Sequence, residues 1–393
     1  MGTTEERAPD VSEAARRVRP FHRGHAVPPW GRRSRGAVAL LALVAGVATL
    51  TGTAGGASPA PSAFAFATPG GGVAPGVAAP VAGQGAALDA GLSAAAQGPP
   101  CGVGVYQAEA VRRGDTWTAP GYTGSDMLSA MRSAVASLDP DRSGKQAVVV
   151  RGSGAVPADQ SLDLPSHTVL EVCGSIAVTG SFGVGHAPVR IRNATGVEIR
   201  SLQVTGVPYF GVLVRDSTDI RLGRIDLRLS GGRGVRIDNH VHARHAVGDH
   251  GVRIDRLFVS GGGGHAVQAL AVDGLRVGSV TTRDTARSGL LLKGASNVRV
   301  GRVDGEGSGG GTGYAAFRIA GLDGRAGTGR PVSIWVGEVI ARGGGGGVRC
   351  GVAGGDAGAL GGGAEIGRIV LLGGGRDAVL IDNCRDVGLV ATA

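Results

Sequence analysis

The chain lacks an apolar run long enough to cross a membrane. "AVALLALVAGVATL" at residues 37–50 has only 14 residues, where a spanning helix needs roughly 20. Glycine is abundant, 74 of 393 residues, but without a G-X-Y period, which excludes collagen. The glycine runs at 261–264 and 343–347 lack a following Lys-Ser/Thr and a helix, so they are turns rather than phosphate loops. No nucleic-acid motif is present and the arginines are scattered, so nucleic acid is not the expected partner. Nothing after residue 140 carries a helical period. Cysteine is sparse, with Cys101, Cys173, Cys350 and Cys384 the four present.

What is there begins with a basic N-terminal segment. Arg32, Arg33 and Arg35 precede the apolar run, and "SAFAFA" offers A-x-A cleavage after Ala65 or Ala67. Residues 1–67 therefore read as a secretory targeting segment, with an uncleaved anchor as the alternative. Arg32-Arg33 hints at twin-arginine export. Residues 68–99, almost only Ala, Gly, Pro and Val, read as a flexible linker. The chain's net charge is +9, and without residues 1–67 it keeps 32 basic against 27 acidic residues, or +5. A mildly basic secreted body suits an acidic polysaccharide. An even cysteine count in an exported chain suggests two disulfides.

Residues 100–393 restart one short phrase. "GVLVRD", "GVRID", "AVQAL", "GLLLK" and "AVLID" recur, with starts near Val189, Val212, Val235, Val267, Leu290, Ala315, Val348 and Val379. A basic unit of about 23 residues with insertions is a solenoid signature. Each unit alternates apolar and polar residues as half-buried strands do, with Gly, Asp, Asn and Ser between them. Such strands, each stacked on its equivalent in the previous coil, make a parallel β-helix. Before the coils, Ser125 or Asp126 can cap a helix that places Met127, Leu128, Met131, Val135 and Leu138 on one face. An amphipathic helix there can cover the open end.

The order of capping helix, "QAVVVRGSGAV", "SLDLPSHTVLEVCG" and coils resembles the N-terminal part of pectate-lyase-like right-handed parallel β-helix proteins, over roughly residues 101–393. The expected fold is therefore an all-β right-handed parallel β-helix with an N-terminal capping helix, as a monomer.

Column reading of the repeats places Val214, Ile237, Ala269, Leu292, Phe317, Cys350 and Ile381 inward. Two outward columns follow: Arg215, Asp238, Leu270, Lys293, Arg318, Gly351 and Asp382; and Leu213, Arg236, Gln268, Leu291, Ala316, Arg349 and Leu380. The long repeats insert residues 239–250, 320–330 and 351–363 after this strand, as the walls of a groove would be. Cys350 and Cys384 fall on adjacent coils within disulfide reach, which leaves Cys101 with Cys173. A free buried thiol is the alternative for Cys350.

β-Elimination of an acidic glycan needs a cation for the uronate carboxylate, a base and an acid. Lys293 beside Arg318 can serve as base and as carboxylate clamp or acid. Asp238 is a candidate oxygen ligand for Ca2+, and some β-helix polysaccharide lyases use such a Lys/Arg pair with calcium. His265 and Tyr314, just before their strands, can reach the same groove as proton carriers or a sugar platform. Arg215, Arg236, Gln268, His240 and His242 complete the expected substrate face. His240 and His242, with His245 or Asp249, can also hold Zn2+, although an exposed polar loop explains them equally. The expected function is thus a polysaccharide lyase. The first alternative is a glycoside hydrolase using carboxylates among Asp216, Asp238, Asp249 and Asp255, though the "NTD…DD…GHG…RIK" set of polygalacturonases is missing. The "WIDH" and "RxPxxR" patterns of calcium pectate lyases are missing too. The second alternative is a non-catalytic glycan-binding solenoid.

Overall fold

The computed structural model describes residues 100–181, 183–238, 249–311, 313–320, 333–351, 363–373, 379–381, 384 and 387–389. Residues 1–67 and 68–99, expected as a targeting segment and a linker, together with His240, His242 and most of the three insertions, lie outside the described residues.

Among the described residues the fold is all-β apart from one helix, α1 (Met127–Ala136), and the strands form two sheets. One sheet has fourteen strands and the other nine among the described residues. Each repeat gives the second sheet a short strand, as in Val212–Arg215, Val235–Asp238, Val267–Leu270, Leu290–Lys293, Phe317–Ala320 and Val348–Cys350. It then gives the first sheet a longer one, as in Thr218–Leu229, His250–Ser260, Arg276–Arg283, Val298–Glu306, Ile334–Arg342 and Ala364–Leu372. Every strand pairs in parallel with its equivalent in the next repeat.

Alternation decides which side chains go inside. Val212, Val235, Val267, Leu290, Phe317 and Val348 stack in register on the second sheet. Leu222, Ile254, Val277, Val300, Val336 and Ile366 stack on the first. Both stacks belong to one buried cluster. Each such side chain contributes about 1.5–3 kcal/mol on burial, and no repeat can bury its own without a neighbour. The corner after each short strand turns through left-handed backbone at Asn193, Asp216, Ala271 and Gly294; Asn, Asp and Gly tolerate that conformation best. The long strands bend at a second point, where lateral pairing skips Gly223, Asp255, Gly278 and Gly301. There a Cβ on Gly278 would lie 2.3 Å from the Asp255 carbonyl oxygen, so the backbones approach as only glycine permits.

Asp126 caps α1, its carboxylate accepting from the Ser129 N–H at 2.7 Å. Met127, Leu128, Met131, Val135 and Leu138 are all buried in the common core. The strands Ala108–Arg113, Thr116–Ala119 and Tyr122–Gly124 add an antiparallel meander beside it. Cys101 is bonded to Cys173 and Cys350 to Cys384, with Cα–Cα distances of 5.4 and 5.9 Å. Among the described residues no helix is long and apolar enough to cross a membrane.

One expectation of register is corrected. The repeat expected at Ala315 starts at Phe317, which pairs with Leu290 and Val348. Phe317 therefore belongs to the Val212 stack, and Ile319 takes its place beside Leu292 and Cys350. A two-residue slip keeps every side chain on its own face, so alternation cannot detect it. In the observed register Phe317 is fully buried.

Candidate functional site

The slip redraws the outward face of the second sheet. Arg318 sits laterally between Leu291 and Arg349, while Lys293 sits between Leu270 and Ala320. Lys293 and Arg318 are diagonal neighbours, with backbones roughly 8 Å apart from the strand rise and spacing, and not a side-by-side pair. Lys293 is exposed, so the partial burial expected to make it a base is missing.

Asp238 is also spoken for. It is 1% exposed. Its carboxylate accepts from Arg215 Nε at 2.6 Å and Nη2 at 2.9 Å, and from Arg236 Nε at 2.7 Å. Hydrogen bonding to Asp238 holds the Arg215 guanidinium pKa above its ordinary value, against its burial. Arg236 also donates to the Gln268 amide oxygen. Two guanidiniums in contact with one buried carboxylate repel a dication and take most of its lone pairs. Asp238 therefore does not fit Ca2+. Among the described residues, the one grouping of three ligand-type side chains is Cys101, Glu171 and Cys173, and its two sulfurs are bonded to each other.

The structure does bring His265, Tyr314 and Arg318 together. The His265 and Tyr314 rings meet edge to face at 5.6 Å. The guanidiniums of Arg287 and Arg318 each lie 5.6 Å from the Tyr314 ring centre. His265 is 6% exposed, and its Nδ1 accepts from the Ser288 N–H at 3.2 Å. Burial pushes the imidazole down to about 3, and the nearby Arg287 and Arg318 charges push the same way. A neutral ring whose Nδ1 accepts carries its proton on Nε2. His265 is therefore a fixed donor, not a base.

A second aromatic platform continues the strip. Arg233 lies 4.5 Å from the Tyr209 ring centre and 5.7 Å from that of Phe210, and Arg236 lies 5.8 Å from Phe210. Phe210 packs with Ala187 and Leu213 in a small apolar cluster separate from the main core. Arg318 is half-buried, its Nε has no hydrogen-bond partner, and it has no carboxylate partner among the described residues. Burial and the adjacent Arg349 lower its pKa from the ordinary guanidinium value.

Tyr209, Phe210, Arg233, Arg287 and Arg349 complete this strip, and only Arg349 stood in an expected column. The others occupy the two or three residues before each short strand. Reading "PYFG", "GRG", "GHA", "ARSG" and "GYAAF" as columns, like the strands themselves, would have found them. Of the carboxylates expected for hydrolysis, Asp216, Asp238 and Asp249 lie near one another beside Arg215, but Asp238 and Asp249 are fully buried, and Asp255 pairs with Arg221 and Arg253 on the outer face of the other sheet.

The strip offers guanidiniums over aromatic rings. That combination suits planar anionic groups held by paired N–H donors and sugar rings stacked on a flat face. Compared with known proteins, the chain matches no family model, no curated protein and no solved structure.

Proposed function

We propose that this is an exported protein that holds an acidic polysaccharide along the arginine–aromatic strip between Tyr209 and Arg349. The supporting fold is a right-handed parallel β-helix whose N-terminal end is covered by α1, in keeping with the resemblance to pectate-lyase-like proteins. The parallel register of both sheets and the two disulfides support this reading. The single observation that carries the ligand assignment is Arg318. A half-buried guanidinium against a tyrosine ring, beside Arg349 and with no carboxylate partner among the described residues, is held at an electrostatic cost. An anionic ligand group relieves it.

Binding is the first reading because, among the described residues, His265 is held as a hydrogen-bond donor and Asp238 is taken up by Arg215 and Arg236. A second reading, β-elimination, draws on the contact of Tyr314 with His265 and its two flanking guanidiniums. There Arg318 would neutralise the uronate carboxylate, His265 Nε2 would donate to the sugar, and Tyr314 would carry the proton. Both readings are tested by offering the purified chain uronate polymers and neutral glycans while following retention and the ultraviolet absorbance of unsaturated sugars. Retention of the acidic polymers alone, weakened at least about 10-fold in Arg318→Ala, is expected, since a hydrogen bond to a charged group contributes about 1.5–3 kcal/mol. Absorbance that rises and is lost in Tyr314→Phe would establish the lyase. Equal retention of neutral and acidic polymers would overturn the assignment.

A further inference from the structure

The outer face of the first sheet carries a feature that the strip does not use. Arg221, Arg253, Arg276 and Arg299 stand side by side on four successive strands. The next position in the same column is Trp335, 42% exposed. Across the bend run Arg224, Arg256, Ser279 and Arg302. Equivalent positions are about 4.8 Å apart, so like charges are stacked at close range, which disfavours the folded state unless something neutralises them.

Neutralisation is incomplete here. Elsewhere on this sheet several arginines are matched: Arg228 with Asp226, Arg283 with Glu306, and Arg342 with Asp304. In the double column, Glu198 and Asp255 hold Arg221, Asp255 holds Arg253, and Asp304 and Glu338 hold Arg302. Arg224, whose side chain donates to the Ser201 hydroxyl, and Arg256, Arg276 and Arg299 have no carboxylate partner among the described residues. The bend between the columns opens at one end into a groove of about 330 Å³ where Arg200, Arg221, Arg224 and Arg256 stand beside Glu171, Glu198 and Asp255, so the unmatched charge lies farther along, at Arg276 and Arg299. The result is a straight track of cations along the stacking direction, with an exposed indole at its far end.

We infer that this track is a second binding site for a linear acidic polysaccharide. A straight row of cations one strand apart matches a chain whose carboxylates or sulfates recur from sugar to sugar, and Trp335 offers a flat face on which a sugar ring stacks. Both sheets turn their inner faces to one core, so their outer faces point apart. Taken with the proposed function, on which this clause rests, one molecule then bridges two glycan chains.

The test uses immobilised polyuronate to capture the protein, followed by a fluorescent polyuronate in solution. Wild type captures the second chain. Arg276→Glu/Arg299→Glu, which changes two exposed side chains, still binds the surface through the strip but captures at least 10-fold less labelled chain. It also loses the change in Trp335 fluorescence that ligand causes in wild type. Its thermal midpoint does not fall below that of wild type, because the carboxylate introduced at position 276 faces Arg253 in place of a like charge. Capture equal to wild type by this variant overturns the inference. So does displacement by duplex DNA at the same charge concentration, because the track is then a general polyanion surface. If Arg318→Ala keeps full surface binding and Arg276→Glu/Arg299→Glu abolishes it, the strip reading fails while the track stands.

Discussion

Replacing Asp249 by Asn isolates the cost of one buried carboxyl. Asp249 is fully buried at the corner after the short strand. Its Oδ1 accepts from the Ser217 N–H at 2.7 Å, and its Oδ2 has no partner among the described residues. Burial pushes the carboxyl up to about 8, with the negative charges of Asp238 and Asp216 pushing the same way. In the unfolded chain the group titrates near 3.8. Between those values the native state binds the extra proton, so stability falls as pH rises. A shift of roughly four units at about 1.36 kcal/mol each sets a ceiling on the order of 5 kcal/mol lost by pH 8.

His265 works in the opposite sense. It stays neutral down to about 3 in the fold and titrates near 6.5 when unfolded. The unfolded state binds the extra proton in that window, so stability rises with pH from about 3 to 6.5. The two slopes offset each other between about pH 4 and 6.5, leaving the Asp249 loss alone from about 6.5 to 8. Urea unfolding followed by circular dichroism across this range should show a plateau and then a decline. Asp249→Asn, whose amide oxygen can still accept from Ser217, should show no alkaline decline and a rise between about pH 4 and 6.5 from His265 alone. Parallel curves for the two proteins, displaced by a constant, would refute the reasoning.

Asp238→Ala removes the carboxylate shared by Arg215 and Arg236; breaking a buried pair on one side should cost about 3–5 kcal/mol in urea unfolding. Cys350→Ser with Cys384→Ser opens a loop spanning 34 positions while the Cys101–Cys173 bond stays, and the chain-entropy relation gives a loss of about 3.8 kcal/mol, read as a urea midpoint below that of the oxidised wild type. Phe317→Ala empties a fully buried site in the stack between Leu290 and Val348 and should destabilise by about 3–5 kcal/mol without changing the parallel-sheet circular dichroism signal.

Much of the architecture was legible because it is periodic. Apolar alternation at residues such as Val212, Val214, Val235 and Ile237 marks strands and their inner faces, and repetition marks which strands are equivalent. The helix was legible from Asp126 and the spacing of Met127, Leu128, Met131 and Val135. The site was legible in its composition but not in its geometry. His265, Tyr314, Arg236, Gln268 and Arg318 were all on the expected face. Their relations were not, because the start at Ala315 was two residues early and placed Arg318 beside Lys293. The pairing of Asp238 with two arginines was hidden too, since Arg215 and Arg236 come from different strands and meet the same carboxylate only once the strands are in register.

By itself the sequence determined that this protein is built of repeated short strands, which residues face inward as far as Cys350, with Ile381 of the last repeat exposed instead, and which cysteines lie within reach of each other. Those properties depend on local alternation and on counting along the chain. Only the tertiary structure decided that Asp238 is a buried counter-ion, that His265 is a neutral donor, and that Arg276 and Arg299 stand side by side with no carboxylate partner among the described residues. Lateral register, burial and charge matching are relations between strands some 23 to 32 residues apart, and no local pattern encodes them.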